Sequence, residues 1–295
     1  MGTITIYHTN AIETVTLAGG SWDATLSLEK LRDPRPRLKA QSTDTQLTST
    51  QFRMSLVVPK TLSGIQLIST NLSQAAQYKV SWYSDSDYTT LVDTTGWVAV
   101  GESIDWSDTD EWPAWESEDF WLGSQAFVDP DNLGRDLRIR FAAAIVAQYI
   151  KIEIDDTSNA AGVIKIGHVY VGTAFTPSLN FAPDSNRIAR VSNTSLRRTP
   201  AGTRFTNRRG AGQVIAVAWP QLPSEEVLGE IDDIVLIHDI DKPVYVDRDP
   251  ENADVSGVKT AFLATIEELP DYVLTAVFFD SDNAASVGFQ FQRVL

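Results

Sequence analysis

The sequence predicts a mainly β protein, in which a β-sandwich or jelly roll is followed by a smaller α+β domain of one sheet and one helix. Between residues 52 and 172, apolar and polar residues alternate in short runs with turn residues between them. A period of two buries one face of a strand and leaves the other in water. The clearest run places Ile150, Ile152 and Ile154 at alternate positions, so we expect these side chains to point into the core. Only the C-terminal part adds a helix-start signature, at Ser224.

Composition narrows the class of protein. The chain has 295 residues and a formal net charge of −15, so its length indicates two domains and its charge argues against binding nucleic acid or anionic membranes. It contains no cysteine, which excludes disulfides and thiolate chemistry. No apolar run approaches the roughly 20 residues that a membrane helix needs, and no membrane insertion is expected.

Alternation and turn residues predict the strands of the first 172 residues. They are expected at 3–7, 52–58, 65–69, 78–83, 97–100, 137–141, 149–154 and 163–171. Pro59 is expected to end the second of them, because proline cannot donate a hydrogen bond to a β ladder.

The C-terminal part reads as strands around one helix. Ser224 as N-cap, with Glu225 and Glu226 in the first turn, predicts a helix that reaches about His238. Strands are expected at 214–219, 244–246, 259–267, 272–279 and 287–294.

These elements suggest four parts. Residues 1–20 form an N-terminal strand region that is a candidate to pair with the C-terminal domain, because it lies outside the sandwich pattern. The sandwich occupies 21–175, an arginine-rich linker or arm occupies 176–210, and the α+β domain occupies 211–295.

An acidic, tryptophan-rich segment stands out at 102–119, which has eight carboxylates and no basic residue. Five of the eight tryptophans lie in or beside it: Trp97, Trp106, Trp112, Trp115 and Trp121. A long loop is usually functional or disordered, and aromatic residues argue against disorder. The tryptophans are predicted either to form a platform for sugar rings, with carboxylates accepting hydroxyl hydrogen bonds, or to cap the sandwich or be buried at a subunit contact.

The arginine-rich segment is basic, in contrast to the acidic segment at 102–119. Residues 185–210 contain no acid and seven arginines: Arg187, Arg190, Arg197, Arg198, Arg204, Arg208 and Arg209. Because arginine forms bidentate pairs with carboxylates, we interpret the segment as an assembly arm that meets the acidic surface of a neighbouring subunit. The alternatives are phosphate binding and a solvated linker.

Metal binding and catalysis have little sequence support. Calcium candidates are Asp129, Asp131, Asp155 and Asp156, which offer hard oxygen ligands without an EF-hand pattern. The three histidines, His8, His168 and His238, lie on separate segments, and no catalytic motif accompanies them. The sequence therefore predicts no cofactor and no enzymatic activity.

Several segments resemble tail proteins of long-tailed bacteriophages that carry a discoidin-like (galactose-binding-like) β-sandwich. The resemblance covers nearly the whole chain. Its segments are IQLISTNLS from Ile65, YKVSW from Tyr78, the tryptophan-rich acidic segment, YIKIEIDD followed by IG and VG from Tyr149, SWDATLSLEKLRDPR from Ser21, and RTPAGTRFTNRR from Arg198.

The resemblance implies a distal-tail-like structural protein of a siphophage tail tip or baseplate. Such a protein is assembled in the host cytoplasm, contacts other tail and baseplate proteins, and forms a homo-oligomer through its C-terminal tail-assembly domain. The alternative is a carbohydrate-binding module that attaches the virion to host-surface glycans. Neither role predicts contact with nucleic acid.

Overall fold

The computed structural model describes residues 4–73, 75–100, 135–182, 187–192, 195–198, 204–207, 211–248, 250, 261–268, 273–275 and 284–294. These residues are mainly in strands, which confirms the predicted fold class. They divide into two compact units, Ala11–Val171 (the sandwich unit) and Met1–Asn10 with Gly172–Leu295 (the α+β unit).

The described part of the chain contains eighteen strands, two short 3₁₀ helices and one longer helical segment. The described strands are β1 (Thr5–His8), β2 (Thr16–Ala18), β3 (Ala40–Gln41), β4 (Phe52–Thr70), β5 (Gln77–Tyr83), β6 (Leu91–Thr94), β7 (Val98–Ala99), β8 (Arg135–Asp155), β9 (Lys165–Ile166), β10 (His168–Phe175), β11 (Arg187–Ser192), β12 (Ser195–Arg198), β13 (Arg204–Asn207), β14 (Ala211–Pro223), β15 (Val244–Asp247), β16 (Ala261–Glu268), β17 (Val273–Thr275) and β18 (Ala284–Arg293). Short 3₁₀ helices lie at Ala11–Thr14 and Leu28–Arg32. One helical segment, α1, consists of Ser224–Glu226, a π-helical turn at Val227–Ile231 and Asp232–His238.

In the sandwich unit, two long strands organise the sheet. Strand β4 pairs with β8 antiparallel, β8 pairs with β5, and β5 carries β6 and β7, while β2 pairs with the start of β4. The strand β10 lies on the other side of β4. Beside it, β3 and β9 form a separate two-stranded sheet.

The prediction that Pro59 ends a strand is wrong. The segments expected as separate strands at 52–58 and 65–69 form the single strand β4, and those expected at 137–141 and 149–154 form β8. The register between β4 and β8 shifts between Ser55 and Lys60. Pro59 lies within this irregularity, where its missing N–H interrupts no ladder pair.

The core of the sandwich unit confirms most of the predicted alternation. Ile150, Ile152 and Ile154 are fully buried, as expected. Strand β10 differs, because all four residues from His168 to Val171 are buried and both of its faces are covered. Directly before β10, the Gly167 N–H donates to Ile68 O at 2.9 Å, and a side chain at Gly167 would overlap Pro36 O. A strand that is covered on both faces loses the polar–apolar alternation.

The α+β unit has its own sheet and core. Its strand order is β11, β14, β18, β16, β15, β1 and the end of β10, with β17 also on β18. Strand β1 lies between two partners that come later in the chain, because Ile6 is paired with both Phe175 and Val246. The helical segment packs Val227, Ile231 and Ile234 into this core.

The arginine-rich segment contains strand structure that its composition did not predict. Strand β11 is the edge of the sheet, paired with β14, and β12 and β13 form a two-stranded hairpin. The units divide at Asn10/Ala11 and Val171/Gly172, where composition had placed limits near 20 and 175.

Candidate functional site

The outward side of the β5–β8–β4 sheet brings together aromatic and charged side chains. Tyr78, Val80 and Trp82 of β5 are buried in the core, and the opposite side of the strand carries Lys79 and Tyr83, which are partly exposed, and Ser81, which is buried. We define the outer face by the outward residues of the three strands: Arg53, Ser55, Lys79, Ser81, Tyr83, Tyr149, Lys151 and Glu153.

The strand register arranges these residues in rows. Residues directly opposite each other in an antiparallel pair share a face of the sheet. One row therefore contains Tyr83, Tyr149 and Ser55. The next row contains Ser81, Lys151 and Arg53, and a third row pairs Lys79 with Glu153.

A cluster of three tyrosines lies at one end of the outer face. The ring of Tyr88 is edge-to-face with the rings of Tyr83 and Tyr149, at centroid separations of 5.5 and 5.9 Å. The guanidinium carbon of Arg53 lies 4.9 Å from the centroid of the Tyr88 ring, a cation–π distance. Each of the three rings is half-buried, which leaves part of every ring accessible.

The loop between β5 and β6 presents Tyr88 to this cluster. The Asp85 carboxylate accepts hydrogen bonds from Thr89 N at 3.1 Å, Thr89 Oγ1 at 2.8 Å and Thr90 N at 2.7 Å. Donation from the backbone of Thr90 and then of Thr89 lowers the pKa of Asp85 to about 2. The ionised Asp85 carboxylate therefore stabilises the turn through these hydrogen bonds. Within the turn, Tyr88 has a φ of 59°, in the left-handed region.

Tyr88 stays a neutral donor in this setting. Its hydroxyl donates to Met54 O at 3.1 Å. Burial raises the pKa of Tyr88 to about 12, although the nearby charge of Arg53 acts in the opposite direction. The ring that faces Arg53 is thus a phenol and not a phenolate at neutral pH.

An ionic row occupies the other end of the outer face. The Glu153 carboxylate bridges two lysines, with Oε2 2.7 Å from Lys79 Nζ and Oε1 2.9 Å from Lys151 Nζ. Burial raises the pKa of Glu153, but hydrogen bonds from Lys79 and Lys151 together outweigh burial and the net pKa is lowered. The ring centroid of Trp97 lies 4.9 Å from Lys79 Nζ, and 43% of Trp97 is exposed.

The predicted aromatic platform is only partly described. Trp97 lies at the ionic row, and the other members of the prediction lie outside the described residues: Trp106, Trp112, Trp115 and Trp121. The predicted assembly arm is also only partly within the described residues. Arg187 is exposed on β11, Arg190 is on β11, Arg197 and Arg198 are on β12, Arg204 is on β13, and Arg208 and Arg209 lie outside the described residues.

The calcium candidate Asp156 holds a turn. Its carboxylate accepts hydrogen bonds from Ser73 N at 2.9 Å, from Asn159 Nδ2 at 2.8 Å and from the Ser73 hydroxyl. Asp155 is half-buried beside it, and Asp129 and Asp131 lie outside the described residues. Across the described ranges, no group of three or more histidines and carboxylates is placed to hold a metal ion.

Two of the three histidines meet in the α+β unit. Thr9 N donates to His238 Nε2 at 3.2 Å, and Thr9 Oγ1 lies 2.9 Å from His8 Nδ1. His8 Nε2 is 3.9 Å from Glu230 Oε2. Burial lowers the pKa of His238 to about 4 and also lowers that of His8. Both rings are therefore neutral at pH 7.

Most of the outer face was missed by sequence reasoning. The alternation in QYKVSWY and YIKIEID would have assigned Tyr83, Tyr149 and the charged residues to an outward face. Placing those two strands side by side requires a register between residues about 70 positions apart, and no local pattern provides it.

No helix in the described part of the chain is long and apolar enough to cross a membrane.

Comparison with known proteins leaves the family open. No family model matches this chain. No curated protein matches its sequence.

Among solved structures, the chain is similar to the family 32 carbohydrate-binding module of Clostridium perfringens NanJ in complex with galactose. The identity is 13% and the TM-score 0.36, over 58% of this chain and 99% of that one. It is also similar to CpGH89CBM32-6 produced by C. perfringens, with 10% identity and a TM-score of 0.33 over 55% of this chain and 98% of that one. A third is a Ruminococcus gnavus GH29 fucosidase in complex with fucose, with 13% identity and a TM-score of 0.36 over 57% of this chain and 27% of that one.

The first two neighbours are discoidin-like carbohydrate-binding modules. Identities of 10–13% and TM-scores below 0.5 give no basis for assigning their ligands or sites to this chain.

Proposed function

We propose that the sandwich unit is a non-catalytic saccharide-binding module and that the outer face is its binding surface. The observation that carries this proposal is the outer face itself, where partly exposed aromatic rings stand beside charged and hydroxyl side chains. Sugar rings stack their C–H faces on aromatic side chains and exchange hydrogen bonds with carboxylates, ammonium groups and hydroxyls. Proteins more often keep an outward sheet face simply polar.

The dimensions of the face suit a short oligosaccharide. Trp97 contacts Lys79 at one end, and Tyr83 belongs to the tyrosine cluster at the other. Four residues along a strand correspond to about 13 Å. The accessible polar groups in this interval are Arg53 and Lys151, because Ser81 in the same row is buried with its hydroxyl 3.1 Å from Thr94 Oγ1. The buried side of the same strands is fully packed, so the surface is preorganised.

Substitution of the aromatic residues is expected to weaken saccharide binding. Trp97→Ala and Tyr149→Ala should each raise Kd about tenfold, because a lost stacking contact is worth roughly 0.5–1.5 kcal/mol and tenfold corresponds to about 1.4 kcal/mol. The measurement is isothermal titration calorimetry of the full chain against a panel of neutral and acidic oligosaccharides.

Leu38→Ala is the matched control, since Leu38 is another exposed apolar side chain of the sandwich unit that is not on the outer face. Its affinity should equal that of the wild type. If the wild-type chain binds no saccharide in the panel, or if the three variants behave alike, the proposal is wrong.

A second candidate function is that of a structural subunit, and the solvent side of α1 favours it. Exposed apolar side chains on α1 are Leu228, Leu236 and Ile237, and Ile240 in the turn after α1 is also exposed. Leu236 is 73% exposed. Contiguous exposed apolar residues commonly mark protein–protein interaction sites. The resemblance to tail tip and baseplate proteins supports the same role, with the chain located in the tail of a virion.

Self-association through α1 is expected to depend on Leu236. In sedimentation velocity the wild-type chain should associate as its concentration rises, and Leu236→Ser should shift the chain towards the monomer. Leu179→Ser is the control, because Leu179 is exposed in the same unit but is not on the helix. A wild-type chain that stays monomeric at every concentration would exclude self-assembly through this surface.

A further inference from the structure

We propose that the outer face prefers a saccharide that bears a carboxylate, such as a uronic or sialic acid residue, and that Arg53 and Lys151 hold that carboxylate. This inference rests on the proposed saccharide binding and names the class of ligand.

The first supporting observation is a pair of like charges placed directly opposite each other. Arg53 of β4 is the register partner of Lys151 of β8, so the two side chains leave the same face of the sheet. Their Cβ atoms are separated by about 4.5–5.5 Å at such positions, and like charges there destabilise a sheet. The two cations stand together in a chain whose formal net charge is −15. A bound anion would relieve their repulsion.

The second observation is the set of ion pairs that the charged residues of the outer face form. Glu153 is shared between Lys79 and Lys151, so one carboxylate serves two lysines. Within the described part of the chain, Arg53 forms no ion pair and lies over the Tyr88 ring instead. Asp155 is the next outward residue of β8 beyond Glu153, opposite Gln77, at the end of the face away from Arg53. The outer face therefore carries three cations, Arg53, Lys79 and Lys151, against the single carboxylate of Glu153, and Arg53 is the cation that this carboxylate does not contact.

The third observation is the orientation that the tyrosine cluster allows. A guanidinium that rests on an aromatic ring keeps its N–H groups at its edge, where they can form a bidentate pair with a carboxylate. Tyr149 lies two residues before Lys151 on the same strand, about 7 Å away along the outer face. A sugar whose carboxylate is held by Arg53 and Lys151 would thus have its ring beside Tyr149.

A matched pair of ligands tests this inference. Oligogalacturonate and its methyl ester share the same rings and linkage and differ in the charge of the carboxyl groups. Calorimetry of the full chain should show the acid bound at least tenfold more tightly than the ester, with the difference reduced at high salt. Arg53→Gln should remove that preference, measured as the ratio of the two affinities within the same variant. Arg53→Lys should keep only part of the preference, because lysine lacks the fork of donors.

The matched control is Lys60→Gln, which removes a cation from the same strand at a position paired with Ala147. Its preference for the acid should be that of the wild type. Equal affinity for acid and ester, with binding still weakened by Trp97→Ala, would overturn this inference and leave saccharide binding intact. If neither saccharide binds but a polyglutamate peptide does, the outer face recognises acidic protein segments and both proposals fail.

Discussion

Replacing Gly20 by alanine is expected to destabilise the sandwich unit by several kcal/mol. Gly20 has a φ of +67°, and an added Cβ would overlap Gln51 O and lie 2.6 Å from Ser49 O. The left-handed conformation alone costs an L-residue about 1–2 kcal/mol, and overpacking against backbone atoms adds about 1–3 kcal/mol. We therefore expect a loss of about 2–5 kcal/mol in the free energy of unfolding, measured by urea denaturation at constant m-value.

The chain contains a matched control for the backbone contribution. Gly162 has nearly the same φ, +66°, but no heavy atom lies within 4 Å of where its Cβ would be. Gly162→Ala should cost only the conformational strain, about 1–2 kcal/mol. Equal losses for the two variants would show that the Gly20 turn opens to accept a side chain and that its close contacts do not matter.

Acidification from pH 7 to pH 4 is expected to lower the stability of both units. Burial lowers the pKa of His168 in the sandwich unit and of His238 in the α+β unit to about 4, from an ordinary value of 6.5. The folded state therefore binds fewer protons than the unfolded state between these values, and stability falls as pH falls through this window. Each histidine contributes on the order of 3 kcal/mol to the loss. The carboxyl groups of Asp33 and Asp85 titrate at about 2, below the window.

Urea denaturation at pH 7, 6, 5 and 4 measures this dependence. His168→Gln and His238→Gln remove one titrating group each, so each variant should have a flatter pH profile than the wild type even if its stability at pH 7 is lower. His8 shares the direction of the shift and contacts Thr9 beside His238. A wild-type profile that is level from pH 7 to pH 4 would contradict the buried neutral state of these histidines.

Local alternation was enough to predict the core. The burial of Ile150, Ile152 and Ile154 follows from spacing alone, because the pleat sends every second side chain to one side. The helix after Pro223 was also predicted from its first residues, but the prediction that Ser224 is the N-cap is wrong. Pro223 stands at the N-cap and Ser224 is the first helical residue, with no side-chain capping hydrogen bond. Pro59 misled the prediction because a bulge in a long strand accepts a residue without an N–H, and the sequence does not reveal the pairing register.

The candidate site was harder to predict, because it depends on contacts between distant segments. Sequence reasoning identified Trp97 by its neighbourhood of tryptophans and missed the tyrosine cluster. Tyr83 and Tyr88 are close in sequence, but Tyr149 and Arg53 join them only through the pairing of three strands. The meeting of His8 with His238 likewise requires the fold of the whole α+β unit.

The position of β1 has a consequence for the order in which the chain can fold. Ile6 is synthesised before both of its neighbours in the sheet, Phe175 at the end of β10 and Val246 of the strand Val244–Asp247. The whole of Ala11–Val171 is made in between. All residues of the sandwich unit are therefore synthesised before β1 has any partner, and β1 has both of its flanking strands only after Val244–Asp247 has been made.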